Sequence, residues 1–156
     1  MNFNERTYLW YIALLRVWIG YYFLQQGIGK YQGGFPGSDW IRRQIGDIAT
    51  LEIYPWYKTL LQNYVAPYGE LFGYLVTMGE IGVGISLLLG FFTRFGALIG
   101  LFMLSNYYLA IGILKEGAIL AQQRTFIVCL LVFLLANPGR ALGLDGLLFR
   151  KGKGLR

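Results

Sequence analysis

The chain of 156 residues has no histidine and only one cysteine, Cys129. Without histidine, bis-His haem and the common His-based zinc sites lack their ligands. A single thiol can form no internal disulfide, and there is no Cys-x-x-Cys pair for dithiol chemistry. Charge is scarce too. Charged residues make up 14% of the chain, against roughly a quarter in a soluble domain. No haem, iron–sulfur cluster or metal is therefore expected, and no water-facing surface of the ordinary kind.

What fills the chain instead is apolar. Tyr8 to Gly29 carries one charge, Arg16, in 22 residues; Leu71 to Phe92 carries one, Glu80, in 22; Phe95 to Leu114 carries none in 20. Crossing a bilayer core takes about 20 residues, so each run is long enough to span, and none shows the one-sided stripe of a soluble helix. The first is not expected to be a cleaved signal peptide, because it is too long, Arg16 interrupts it and no small-residue cleavage site follows. A fourth run, Thr125 to Ala136, has 12 residues, about 18 Å of helix. It is either a re-entrant helix or a span that starts near residue 117 and draws Gln122, Gln123 and Arg124 into the hydrocarbon. With three spans beside it, crossing over 117–137 is the expectation. The fold class read from these runs is all-α: a single polytopic membrane domain over 1–156, built as a four-transmembrane-helix bundle with spans at 8–29, 71–92, 95–114 and 117–137. Gly96 with Gly100, and Gly69 with Gly73, form GxxxG pairs that suit close helix contact.

Four spans leave both termini on one side. That side holds Arg6, Arg94, Arg140, Arg150, Lys151, Lys153 and Arg156, while the other holds Lys30, Arg42, Arg43, Lys58 and Lys115. The excess of positive charge places the termini in the cytoplasm and the protein in the inner (plasma) membrane. The loop over 31–69 is longer than a connection requires. Ser38 and Asp39 suit a helix start before Ile41, Ile45 and Ile48; Pro55 suits the first position of another, with Trp56, Leu60, Leu61 and Tyr64 on one face. The density of Trp and Tyr suggests interfacial helices, serving as a plain cap or as a lid or docking surface.

Counting inward at about 1.5 Å per residue from the terminus-bearing face puts Glu80, Asn106 and Arg124 about 17–18 Å deep and Arg16 about 12 Å. Intramembrane charges are costly and are expected to face inward and pair. A central cluster of Arg16, Glu80, Asn106 and Arg124 follows, with Tyr107, Gln122, Gln123, Gln25 and Gln26 nearer the outer leaflet. Two arginines against one glutamate leave one surplus positive charge, which suits an anion or a quinone headgroup. The structural alternative makes Arg16–Glu80 a bundle staple and sends Arg124 outward.

"RVWIGYYFLQQGIGKY" at 16–31, "GEIGVGISLLLGFFTR" at 79–94 and "NPGRALGLD" at 137–145 resemble the DoxX/DoxD family of four-helix membrane proteins. The resemblance implies a membrane subunit of a thiosulfate:quinone oxidoreductase or of a related redox complex. It points to Arg16, Lys30, Glu80, Arg94 and Arg140 as motif residues. Read from the residues alone, Lys30 is an interfacial lysine reaching toward water, and Arg94 and Arg140 complement helix ends. In the combined reading Glu80 is the candidate proton acceptor, and Arg124, Asn106, Tyr107, Gln122, Gln123 and Arg16 bind a quinone or an anionic sulfur substrate. The expected partners are the lipid bilayer and either a second membrane or periplasmic subunit or another copy of the chain; nucleic acid is not among them. The competing class is a non-catalytic subunit or assembly factor that docks through the first loop.

Overall fold

The computed structural model describes residues 3–49, 54–112 and 118–148, and these are helical with no strand among them. Four long helices form the body: α1 (Phe3–Gln32), α4 (Gly69–Leu89), α5 (Thr93–Tyr107) and α6 (Ala118–Ala136). Between α1 and α4 lie α2 (Trp40–Ala49) and α3 (Pro55–Leu60), and a short α7 (Leu144–Leu148) follows α6. The Lys/Arg-rich tail beyond residue 148, Lys115 and the junction between the third and fourth expected spans lie outside the described residues.

The core is a seam of Ile19 and Phe23 from α1, Val83 and Leu87 from α4, Ala97, Met103 and Leu104 from α5, and Leu130 and Phe133 from α6. The outward faces are just as apolar. Trp10, Leu14 and Trp18 on α1, Leu71, Leu75 and Ile85 on α4, Leu98 and Phe102 on α5, and Val128 and Leu135 on α6 are all exposed, Leu135 by 77%. Soluble monomers rarely show contiguous apolar surface on this scale. By length and composition, one helical run among the described residues suffices to cross a membrane: Pro55–Leu89, 35 residues.

That run joins α3 to α4, which the sequence reading kept apart. Pro67 has no N–H and cannot continue an α-helical ladder. The chain passes it through a π-helical turn, Leu61–Val65, and a 3-10 turn, Ala66–Tyr68. Arg42 of α2 ties this turn to the first loop helix, donating to Ala66 O at 3.2 Å and Pro67 O at 3.4 Å. Ile45, Tyr57 and Leu61 form a second small core, with Leu109 and Ala110 of the π-helical segment that prolongs α5 packed against it. The buried face of the second loop helix is thus Tyr57 and Leu61, whereas Trp56, Leu60 and Tyr64 point outward.

Among the long helices the backbones of α1 and α4 approach closely, and different glycines allow it. A Cβ on Gly84 would lie 2.6 Å from Leu24 N; one on Gly20, 2.7 Å from Leu88 N; one on Gly27, 2.8 Å from Ile81 N. Gly20 and Gly27 are seven residues apart, two turns on one face, so the seam is continuous. Of the GxxxG pairs, Gly96 and Gly100 do receive α4, through Ser86 and Val83, but Gly69 and Gly73 face Arg42 and Pro36 of the first loop. Gly84→Ala should force α1 off α4 and lower stability by about 1–3 kcal/mol, the usual cost of overpacking. Gly82, with nothing within 4 Å of an added Cβ, is the control: Gly82→Ala should leave the detergent melting temperature unchanged or raise it.

Candidate functional site

The α1–α4 register decides which polar groups meet. Gly20 lies against Leu87 and Leu88, and Gly27 against Glu80 and Ile81, so Lys30 falls within a turn of Glu80. Lys30 forms an ion pair with Glu80 Oε1. Tyr107 of α5 donates to the same oxygen at 2.9 Å, and its hydroxyl is 3.5 Å from Lys30 Nζ. The ammonium also lies 5.3 Å from the Tyr107 ring centroid and 5.6 Å from that of Phe35, within cation–π range. Glu80 is 3% exposed. A carboxylate this buried requires a partner, and the partner comes from the far end of α1.

These groups form the polar end of a cavity of about 250 Å³. Its apolar wall is Tyr22, Phe23, Leu104 and Phe126; Gln26, Gln122 and Gln123 add amides, and Trp40 of α2 closes one side. Tyr22 and Phe126 meet edge to face at 4.8 Å, bracing α1 against α6. Two buried acceptors in this lining, Glu80 Oε2 and Gln123 Oε1, have no hydrogen-bond partner among the described residues.

Three residues expected in the cluster are elsewhere. Arg16 does not pair with Glu80. In the antiparallel register it comes level with the turn between α4 and α5, where it donates to Leu87 O at 2.6 Å and to Leu142 O. Its depth, counted from Tyr8, is overestimated because α1 begins at Phe3 and runs past the end of α4. Asn106 donates to Phe102 O at 2.8 Å, and its main-chain oxygen accepts from Tyr57 at 3.1 Å. Successive helical residues point about 100° apart, and α5 is turned so that Tyr107 faces Glu80 in place of Asn106. Arg124 is exposed and stacks over Tyr108 at 5.8 Å, with Nη2 3.4 Å from the Tyr108 hydroxyl. The surplus charge expected at the centre is therefore absent, since Lys30 and Glu80 balance. Gln25 is likewise outside the cavity, exposed and bonded to Tyr21.

Arg16 belongs to a second polar assembly at the opposite end. Asp145 accepts from Phe92 N at 2.7 Å and Thr93 N at 2.9 Å, which caps the start of α5, and its own N–H donates to Gly90 O at 2.8 Å. Phe92 is held at φ 49°, an unusual conformation for a bulky residue. Arg94 donates to Leu135 O at 3.2 Å, as a cation at a helix C-terminus should, and Arg140 is exposed. The motif "NPGRALGLD" thus folds over the α4–α5 turn as an architectural clasp.

Sequence reasoning missed Lys30 as the partner of Glu80 and Trp40 as part of the lining. The usable signal was Gly20 and Gly27 at heptad spacing, which marks the α1 face toward α4 and puts Lys30 three residues past its end. The DoxX family model matches residues 11–112, from α1 through the π-helical end of α5. No curated protein and no solved structure matches the chain.

The partner assignment is open to a double-mutant cycle. Glu80→Gln should cost roughly 3–5 kcal/mol, the usual consequence of stranding one member of a buried pair. Adding Lys30→Met should recover part of that loss, whereas adding Arg16→Leu should be additive to within about 0.5 kcal/mol. Urea or thermal melts in mild detergent read both couplings, and coupling to Arg16 in place of Lys30 would refute the assignment.

Proposed function

Because the chain belongs to the DoxX family and is a membrane protein of that type, we propose that it is a four-span inner-membrane subunit of a DoxX/DoxD oxidoreductase, binding a quinone headgroup between Lys30–Glu80–Tyr107 and the glutamines of α6. The observation that carries this reading is the cavity itself. It has one polar end and an aromatic and aliphatic wall, and it lies within a bundle whose outer faces are apolar. Ligand sites commonly combine such a wall with a few convergent polar groups.

The residues fit the group. Gln122 and Gln123 offer amide donors to a ring carbonyl, Lys30 retains one N–H beyond those used on Glu80 and Tyr107, and Tyr22 and Phe126 flank a planar ring. A bound quinone supplies a two-electron, two-proton acceptor; on the thiosulfate:quinone reading the electrons come from two thiosulfates, which become joined by a new S–S bond. Glu80, Lys30 and Tyr107 form a hydrogen-bonded chain suited to holding and passing a proton. Thiosulfate itself is a poor occupant of this cavity, because the free carboxylate oxygen of Glu80 repels an anion. It would be oxidised at the membrane surface or on a partner subunit.

The first loop acts in this reading as the lid, outside the cytoplasm, with both termini inside. Trp40 supports the lid role by lining the cavity while its ring packs tilted against Phe35, with centroids 5.1 Å apart. In a Cys129→Ala background, Gln44→Cys should react with an impermeant maleimide in intact cells, and Lys153→Cys should not; the reverse pattern would invert the topology.

Protein purified from membranes should carry extractable quinone at near one per chain. Leu104→Phe, which fills the cavity, should lower that occupancy at least tenfold while the protein stays folded. Absence of quinone from the wild type, together with stoichiometric co-purification of a second polypeptide, would favour the non-catalytic assembly role.

A further inference from the structure

The cavity's unmet hydrogen bonds specify more than its shape. Glu80 Oε1 accepts from both Lys30 and Tyr107, which leaves Oε2 buried and without a donor. Gln123 Oε1 is in the same condition on the facing helix. Buried acceptors left unsatisfied are costly, and a ligand that supplies O–H or N–H groups removes the cost. A ligand with only acceptors cannot. Resting on the quinone-site reading, we infer that this site selects the reduced, dihydroxy form of the ring over the oxidised form, with Glu80 Oε2 accepting one ring hydroxyl and Gln123 aiding at the other.

The two acceptors do not contribute equally. A glutamine amide turns over and can present its NH2 to a carbonyl as readily as its oxygen to a hydroxyl. The Glu80 carboxylate, ion-paired with Lys30, has no amide to turn over and presents only an acceptor at Oε2. Discrimination between redox forms therefore comes from Glu80, and Gln123 adapts to either. The consequence is thermodynamic. A tenfold preference for the reduced form raises the two-electron midpoint of the bound couple by about 30 mV relative to the free couple. The site thereby favours electron flow onto the ring from a weakly reducing donor.

The test measures equilibrium binding of three ring compounds to the intact chain in lipid nanodiscs under argon. The compounds are a short-tailed benzoquinone, its quinol, and the dimethyl ether of that quinol, which keeps the ring and loses both donors. The quinol should bind at least tenfold more tightly than the quinone, and the dimethyl ether no better than the quinone. Glu80→Gln should reduce the quinol preference to less than threefold, because its amide offers either a donor or an acceptor; Gln123→Leu should weaken the quinol and keep the preference. Equal affinity for quinone and quinol, or full affinity for the dimethyl ether, would overturn the inference while leaving the quinone site intact. If none of the three binds, the quinone-site reading falls and this inference with it. The wild-type ligand series alone decides these outcomes, even if Glu80→Gln fails to fold.

Discussion

The close packing of α1 on α4 is the constraint on which the rest of the structure depends. Gly20, Gly27 and Gly84 let the two backbones meet with no side chain between them, and each position rejects even a methyl group. In a membrane the hydrophobic effect gives helices little reason to associate, so the contact must come from dispersion and shape. Such a contact has one register. A slip by a turn would set Leu24 against Leu87 or Leu88, with no glycine to receive it.

Both polar assemblies follow from that register. At one end Arg16 reaches the Leu87 carbonyl near the end of α4 and the Leu142 carbonyl of the loop that carries Asp145. At the other, Lys30 reaches back to Glu80. Each is a cation on α1 meeting oxygen on the elements around α4, but their surroundings differ. The Arg16 assembly also leaves Arg16 Nε, Thr93 Oγ1 and Asn137 Oδ1 without partners among the described residues, but its main bonds run to main-chain oxygens and its carboxylate is spent on capping α5. The Lys30 assembly opens onto a cavity and leaves acceptors unmet. The two ends differ in their walls: the Lys30 cavity is lined by side chains from α1, α2, α4, α5 and α6, whereas both oxygens of Asp145 are used on the start of α5.

The first loop is built as a folded element in its own right. Its two helices share a small core with the π-helical end of α5, and the Tyr57 hydroxyl ties α3 to the Asn106 carbonyl. π-helical turns often mark functional positions, since the extra residue leaves a carbonyl free. Here two of them, Leu61–Val65 and Tyr108–Gly112, lie on either side of the contact between loop and bundle. The loop is thus held by specific bonds, and Trp40 on α2 reaches the cavity from a fixed base.

Residue by residue, the sequence determined the helical class, the three long apolar runs and the shorter fourth, and the family, through motifs around Arg16, Glu80 and Arg94. It also singled out Glu80, Tyr107, Gln122 and Gln123, because polar groups in apolar runs stand out whatever their neighbours. The partners of those groups were not legible. Depth counted from assumed boundaries carries an error of several ångströms, and adjacent residues point about 100° apart, so Asn106 and Tyr107, or Gln123 and Arg124, are indistinguishable by depth alone. Lysine and arginine reach a further turn or more in either direction. Only the packed backbone, with Gly27 seated on Ile81 and Gly84 on Leu24, settled that Lys30 meets Glu80 while Arg16 is drawn to the far end, because register and helix rotation are properties of the contact between helices and of neither helix alone.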